Sequence, residues 1–155
     1  MEELVGAVMT DFSPASKCRY CGKSGDGGVD LMLVIGDKPC AIQVKHRQRI
    51  DQAESVHYVT HFIGALMLKN IPNGIFVTTA ERFSTAAKAA GKTILSRGLV
   101  ERFELIARQP FLEMLEATSK PLSDPWRRCI PKVLLHDHER LTPYSVGLIP
   151  PTSGS

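Results

Sequence analysis

No stretch of 18 or more apolar residues occurs among these 155, so no segment reads as a transmembrane helix. The start, Met1-Glu2-Glu3, is acidic and lacks the charged-then-apolar layout of a signal peptide. A cytoplasmic protein without a membrane partner is therefore expected. Charge of one sign is not in great excess either. The net charge of +3 is a mild basic bias, compatible with nucleic acid but not diagnostic of it. Cysteine is scarce. Cys18-x-x-Cys21 has metal-ligand or redox spacing, but a structural zinc needs four ligands and no second CxxC exists. A thioredoxin-like pair would sit between strand and helix, whereas this one leads into a glycine turn. Together with Cys40 and Cys129, these residues are expected to be reduced, unligated thiols. The HExxH of a metalloprotease is also missing. His57 and His61 lie four apart, but Tyr58 follows His57, so they read as surface or rim histidines. His136-x-His138 stands without nearby ligands and reads as surface as well. There is no internal repeat.

What remains is ordinary for one soluble globular domain. Hydrophobic content is 43% and charged content 23%, and the length is enough to bury a core without staples.

The informative stretch runs from Gly25 to Arg49, GDGGVDLMLVIGDKPCAIQVKHRQR. It reads as a glycine-rich turn, a strand, a tight hairpin and a second strand ending in Gln43-Val44-Lys45. Val29, Leu31, Leu33 and Ile35 alternate with Asp30, Met32 and Val34; Cys40, Ile42 and Val44 alternate with Ala41, Gln43 and Lys45. Side chains on a strand repeat every two residues, so Gln43 and Lys45 share a face. Gly36-Asp37 supplies turn chemistry. With those two residues as the loop, Ile35 pairs with Lys38 and Asp30 falls opposite Gln43; a shift of two sets it opposite Lys45. An odd-length loop would turn Asp30 away, because a one-residue slip flips a strand. A carboxylate beside an amide oxygen suits a hard cation such as Mg²⁺. A neighbouring lysine can orient a water or steady charge on a phosphoryl oxygen. These are the parts of a metal-dependent phosphodiesterase.

The wording Gly-Asp-Gly-Gly-Val-Asp, a hairpin and Gln-Val-Lys resembles the Mrr-like branch of the PD-(D/E)xK nucleases. Gly74-Ile75-Phe76-Val77-Thr78-Thr79, then Phe83-Ser84 and Ala86 to Ala90, extends the likeness over roughly residues 1 to 117. In that branch glutamine commonly stands for the second acid. The resemblance implies a restriction-endonuclease-like α/β fold of three layers, with a mixed central sheet flanked by helices. It implies Asp30 as the main metal ligand, Gln43 as its companion and Lys45 as the catalytic lysine. It also implies a glutamate on the first helix, here Glu2, as a further metal and catalytic residue. The same Glu2 and Glu3 equally suit a helix N-terminus, where the macrodipole favours negative charge.

In chain order, residues 2 to 12 form a helix ended by Ser13-Pro14, Lys17 to Cys21 a short strand, and Gly22 to Gly28 the turn, with Asp26 as a turn former. The chain starts directly at that first helix, so the domain is either a minimal version or lacks a preceding segment. After Lys45, the run His46-Arg47-Gln48-Arg49 leaves the strand beside the proposed site. Lys45, His46, Arg47 and Arg49 are accordingly candidates for DNA phosphate contact. Asp51 is expected to cap a helix from Gln52 to Lys69. Gly74 to Thr79 is a buried strand, Ser84 opens a helix from Thr85 to about Arg97, Val100 to Ile106 is a strand and Phe111 to Glu116 a last helix. Gly91 weakens the expected continuity of the third helix. The order is α-β-β-β-α-β-α-β-α, antiparallel early and parallel late. From residue 118 to 155 the composition shifts to a Pro-rich extension, partly disordered, in which Arg127-Arg128 and Val133 to Leu135 form a short docked strand.

The expectation is thus a DNA endonuclease using Mg²⁺, with Mn²⁺ as the alternative, in restriction or defence. A repair or junction-processing nuclease and an inactive DNA-binding module of the same fold are the competing readings, and the intact trio argues against the last. One site cuts one strand, so double-strand cleavage calls for a homodimer or two visits. No recognition domain is visible, which leaves targeting to a separate domain or subunit.

Overall fold

The hairpin closes on the shortest loop its sequence allows. Leu31–Ile35 and Lys38–Lys45 are the strands β2 and β3, with Ile35 paired to Lys38. The structure is a computed structural model that describes residues 1–12, 17–21, 28–35 and 37–118. The Asp26 turn, Cys129, the Arg127-Arg128 pair, the 133–135 strand, His136, His138 and the extension beyond 118 lie outside the described residues. So do the stretches 13–16 and 22–27.

Around the hairpin stand helix α1 (Glu2–Phe12), strand β1 (Lys17–Tyr20), helix α2 (Val56–Leu68), strand β4 (Asn73–Thr78), helix α3 (Thr85–Ser96), strand β5 (Arg102–Ile106) and helix α4 (Arg108–Thr118). The order of elements is the expected one. The strands form one sheet in the order β1-β2-β3-β4-β5, antiparallel through β3 and parallel from β3 to β5. Both parallel crossovers step in the same direction across the sheet. The right-handed rule for such crossovers therefore sets α2 and α3 on one face. That face buries Val59, Phe62 and Leu66 of α2 and Ala87 and Ile94 of α3 with Phe76 and Phe103 of the sheet. The other face buries Val5, Val8 and Met9 of α1 and Phe111 of α4 against Leu31, Leu33, Ile42, Ile75 and Val77. Two faces covered by helices explain why β4 is buried from Gly74 to Thr78 instead of alternating.

Several boundaries differ from the sequence reading. The second helix starts at Val56, capped by Ser55, whose hydroxyl accepts from His57 N; Asp51 caps nothing. The reason lies in Glu54. Its main chain bonds Arg82 O and Ser84 N in a bridge to Phe83, which keeps Glu54 out of the helix. The last strand starts at Arg102 because Glu101 N and Arg102 N both donate to Pro72 O. The last helix is longer at both ends than expected, with Pro110 in its first turn, where no N–H is required. The third helix runs unbroken through Gly91. A Cβ there would come within 3.2 Å of the Phe103 ring, so the glycine serves close helix–sheet packing.

Candidate active site

β3 is the strand at which the sheet changes from antiparallel to parallel, and its C-terminal end collects the polar groups. Gln43 is 3% exposed on the face toward α2, and Lys45, two residues on, shares that face half-buried.

Asp30 reaches them through an irregularity that strand arithmetic misses. Leu31 is paired with Ile42, yet Asp30 N also donates to Ile42 O at 2.9 Å. Two consecutive residues thus face one across the ladder, which is a β-bulge, a device common beside active sites. Its effect on side chains is visible in the core. Val29 packs with the α2–α3 face, whereas Leu31 and Leu33 pack with the α1–α4 face. The expected alternation of Val29 with Leu31 is therefore broken at Asp30. Past the bulge, Val44 N donates to the Asp30 carboxylate (Oδ2, 2.7 Å) rather than to main chain of the neighbouring strand. The same oxygen accepts from Gln43 Nε2 at 2.5 Å. The acid and the amide meet, as the sequence implies, but by a bulge and not by simple opposition.

Gly28 permits this approach. Its φ is +88°, and a Cβ there would lie 2.8 Å from Gln43 Oε1 and 3.1 Å from His61 Nδ1. His61, read from the sequence as a rim residue, does stand at the rim, directly over the Gly28–Gln43 contact. Glu2 and Glu3, at the start of α1, line an open cleft with Val44 and His46. The proposed helix glutamate therefore borders the residue whose amide holds Asp30.

Of the basic run, His46 and Arg49 are exposed, Arg49 facing Asp51 loosely at 3.9 Å. Arg47 turns inward. Its Nε donates to Glu54 Oε2 at 3.0 Å and its Nη2 to Glu54 Oε1. Glu54 is 1% exposed and also accepts from Thr78 Oγ1 at 2.7 Å. Burial alone would raise the Glu54 pKa, but Arg47 and Thr78 outweigh it and hold the carboxyl below its ordinary range. The Arg47 guanidinium, bound first of all by Glu54, is stabilised in its charged form beyond its usual value. Arg47 is thus a fixed part of the frame, and Glu54 and Tyr58, which the sequence reading did not single out, complete that frame. A glutamate in QAESVHY looks like any helix-start residue, so no local signal could have found it.

Cys18 faces α1 beside Gly6, and Cys21, three residues later, continues the ladder by donating its N–H to Asp30 O at 2.9 Å. Burial raises the Cys18 thiol, and pushes the Cys40 thiol up to about 11.

A mixed five-stranded sheet between helix layers, with Asp30 and Gln43 in contact at one end and Lys45 on the Gln43 face, is the restriction-endonuclease-like fold. The restriction endonuclease family model of the Mrr catalytic domain matches residues 1–115, and the chain belongs to that family of nucleases, whose substrate is DNA. Among solved structures, the crystal structure of a protein of unknown function, AF1548, is similar in fold. Its TM-score is 0.57 at 12% identity, covering 90% of this chain and 78% of that one. Comparison with curated proteins finds no match. Among the described residues no helix is long and apolar enough to cross a membrane.

Proposed function

We propose that this chain is an active, Mg²⁺-dependent endodeoxyribonuclease of a restriction or defence system, acting in the cytoplasm. The observation that carries the reading is the meeting of Asp30 and Gln43 at the bulge, with Lys45 on the Gln43 face.

The donor set fits a hard divalent cation. Asp30 offers a carboxylate already aimed at Gln43, and a half-turn of the Gln43 amide about its last bond exchanges Nε2 for Oε1 at the same place. Glu2 adds a second carboxylate from the α1 side. The donors offered are all oxygen atoms, the set that suits a hard cation whose remaining positions are filled by water. When bound, Mg²⁺ (or Mn²⁺) would supply Lewis acidity toward the scissile phosphate. The rest falls to the protein. The Val44 amide orients the Asp30 carboxylate, and the Lys45 ammonium positions the attacking water and offsets charge growing on the phosphoryl oxygens. His46 and Arg49, exposed beside the strand end, contact the DNA backbone. A single site cuts a single strand, so double-strand cleavage requires a dimer or two encounters, with targeting from a further domain or subunit.

The test is nicking of supercoiled plasmid by purified protein with Mg²⁺, Mn²⁺ or EDTA. Asp30→Ala and Lys45→Ala are each expected to lower the rate by at least about 100-fold, the size expected for losing a preorganised charge or its positioning. DNA binding without metal-dependent nicking would instead establish an inactive module of the same fold.

A further inference from the structure

Two cations converge on one aromatic ring at the edge of this site. The Lys45 ammonium lies 5.5 Å from the centroid of Tyr58, and the Arg47 guanidinium carbon 4.3 Å from it. Tyr58 stands in the first turn of α2, 37% exposed, and stacks edge-on with His57 at 5.4 Å. Arg47 is itself clamped by the buried Glu54, so the guanidinium gives the ring a fixed wall, and its charge is largely matched before it can repel Lys45. Lys45 is different. Among the described residues its ammonium makes no ion pair; the side chains so engaged are Lys38, Arg47, Arg49 and Arg102. A lysine has a long, freely rotating stem, and a catalytic ammonium must be held in one place. The negative face of an aromatic ring holds a cation without neutralising it, as a carboxylate would.

We propose that Tyr58 is a positioning residue, whose ring, braced by the Arg47–Glu54 pair, holds the Lys45 ammonium at the Asp30–Gln43 site. The proposal rests on the reading of that site as the nuclease centre. Lys45 meets the ring, whereas the Tyr58 hydroxyl bears on the Arg47 guanidinium, so phenylalanine should keep the hold on Lys45 and an aliphatic side chain should not.

The experiment compares Tyr58→Phe and Tyr58→Leu in the full chain, with kcat and KM for Mg²⁺-dependent nicking and NMR of the Lys45 ε-methylene protons, assigned against Lys45→Ala. Tyr58→Phe should keep kcat within about threefold, while Tyr58→Leu should lower it by roughly 10- to 100-fold with KM nearly unchanged, as a misplaced catalytic group does. In wild type and Tyr58→Phe the Lys45 methylene protons should be shifted upfield by the ring current, and in Tyr58→Leu the shift should vanish. Wild-type kcat in Tyr58→Leu, equal losses in both variants, a change confined to KM, or no ring-current shift would each overturn the proposal. If instead Lys45→Ala nicks as fast as wild type, the nuclease centre is misassigned. The methylene shift would then still report whether the ring holds the ammonium.

Discussion

Gly28 carries a positive φ and has two site side chains against the space a Cβ would fill. Gly28→Ala is therefore strained in backbone and crowded in space. It should cost about 1–2 kcal/mol for the left-handed backbone alone and displace Gln43 from Asp30. Denaturant melts would read the first effect, and a nicking rate reduced more than stability accounts for would read the second. Glu54 offers a pH-dependent counterpart. Its folded pKa is depressed, so its stabilisation is full above the ordinary carboxylate range and is lost as pH falls through the lower folded value. Removing one partner of such a buried pair costs about 3–5 kcal/mol, so Glu54→Gln should be destabilised by about that much at pH 7. The gap from wild type should narrow steadily below about pH 4.5, the unperturbed value, in acid melts. A gap independent of pH would show that the carboxylate charge is not what stabilises. At this scale the shared face of Gln43 and Lys45 was legible, because strand periodicity sets it, whereas the route of Asp30 to Gln43 was not, because the bulge breaks that period. Glu54 was not, because its role depends on Arg47 and Thr78, brought together only by the fold.

Among the elements, α2 shows how a local rule and a tertiary contact compete. Asp51 is a good cap residue by type, but the bridge from Glu54 to Phe83 keeps Glu54 out of the helix, and Ser55 takes the cap. Ser55→Ala should cost about 1 kcal/mol in a thermal or urea melt, whereas Asp51→Ala should change stability little. Equal losses in both would restore the earlier helix start. The hairpin and the helix–strand order were readable because each carries its own period, 2 or 3.6. The bulge was not. It adds a residue without changing the hydrophobic character of either strand, so no pattern of letters marks it.

For the molecule as a whole, the face carrying α2 and α3 is held by four phenylalanines. Phe62 lies 5.9 Å from Phe76 and 6.0 Å from Phe103, and Phe76 lies 5.8 Å from Phe83, measured between ring centroids. Phe62 is fully buried, so Phe62→Ala should remove about 3–5 kcal/mol and lower the cooperative melt accordingly. Because that cluster backs the strand end bearing Gln43 and Lys45, nicking should fall with the folded fraction and not before it.

The bulge also sets a limit on copying this centre elsewhere. Its acid is placed by one surplus residue in the strand, and Val44 donates its N–H to that acid where an unbroken ladder would have used main chain. Grafting Asp, Gln and Lys onto a regular hairpin would reproduce every letter and still aim the carboxylate differently. A faithful transplant needs an insertion, and by the same reasoning deleting a single residue here would dismantle the centre while leaving all three of its side chains in the chain.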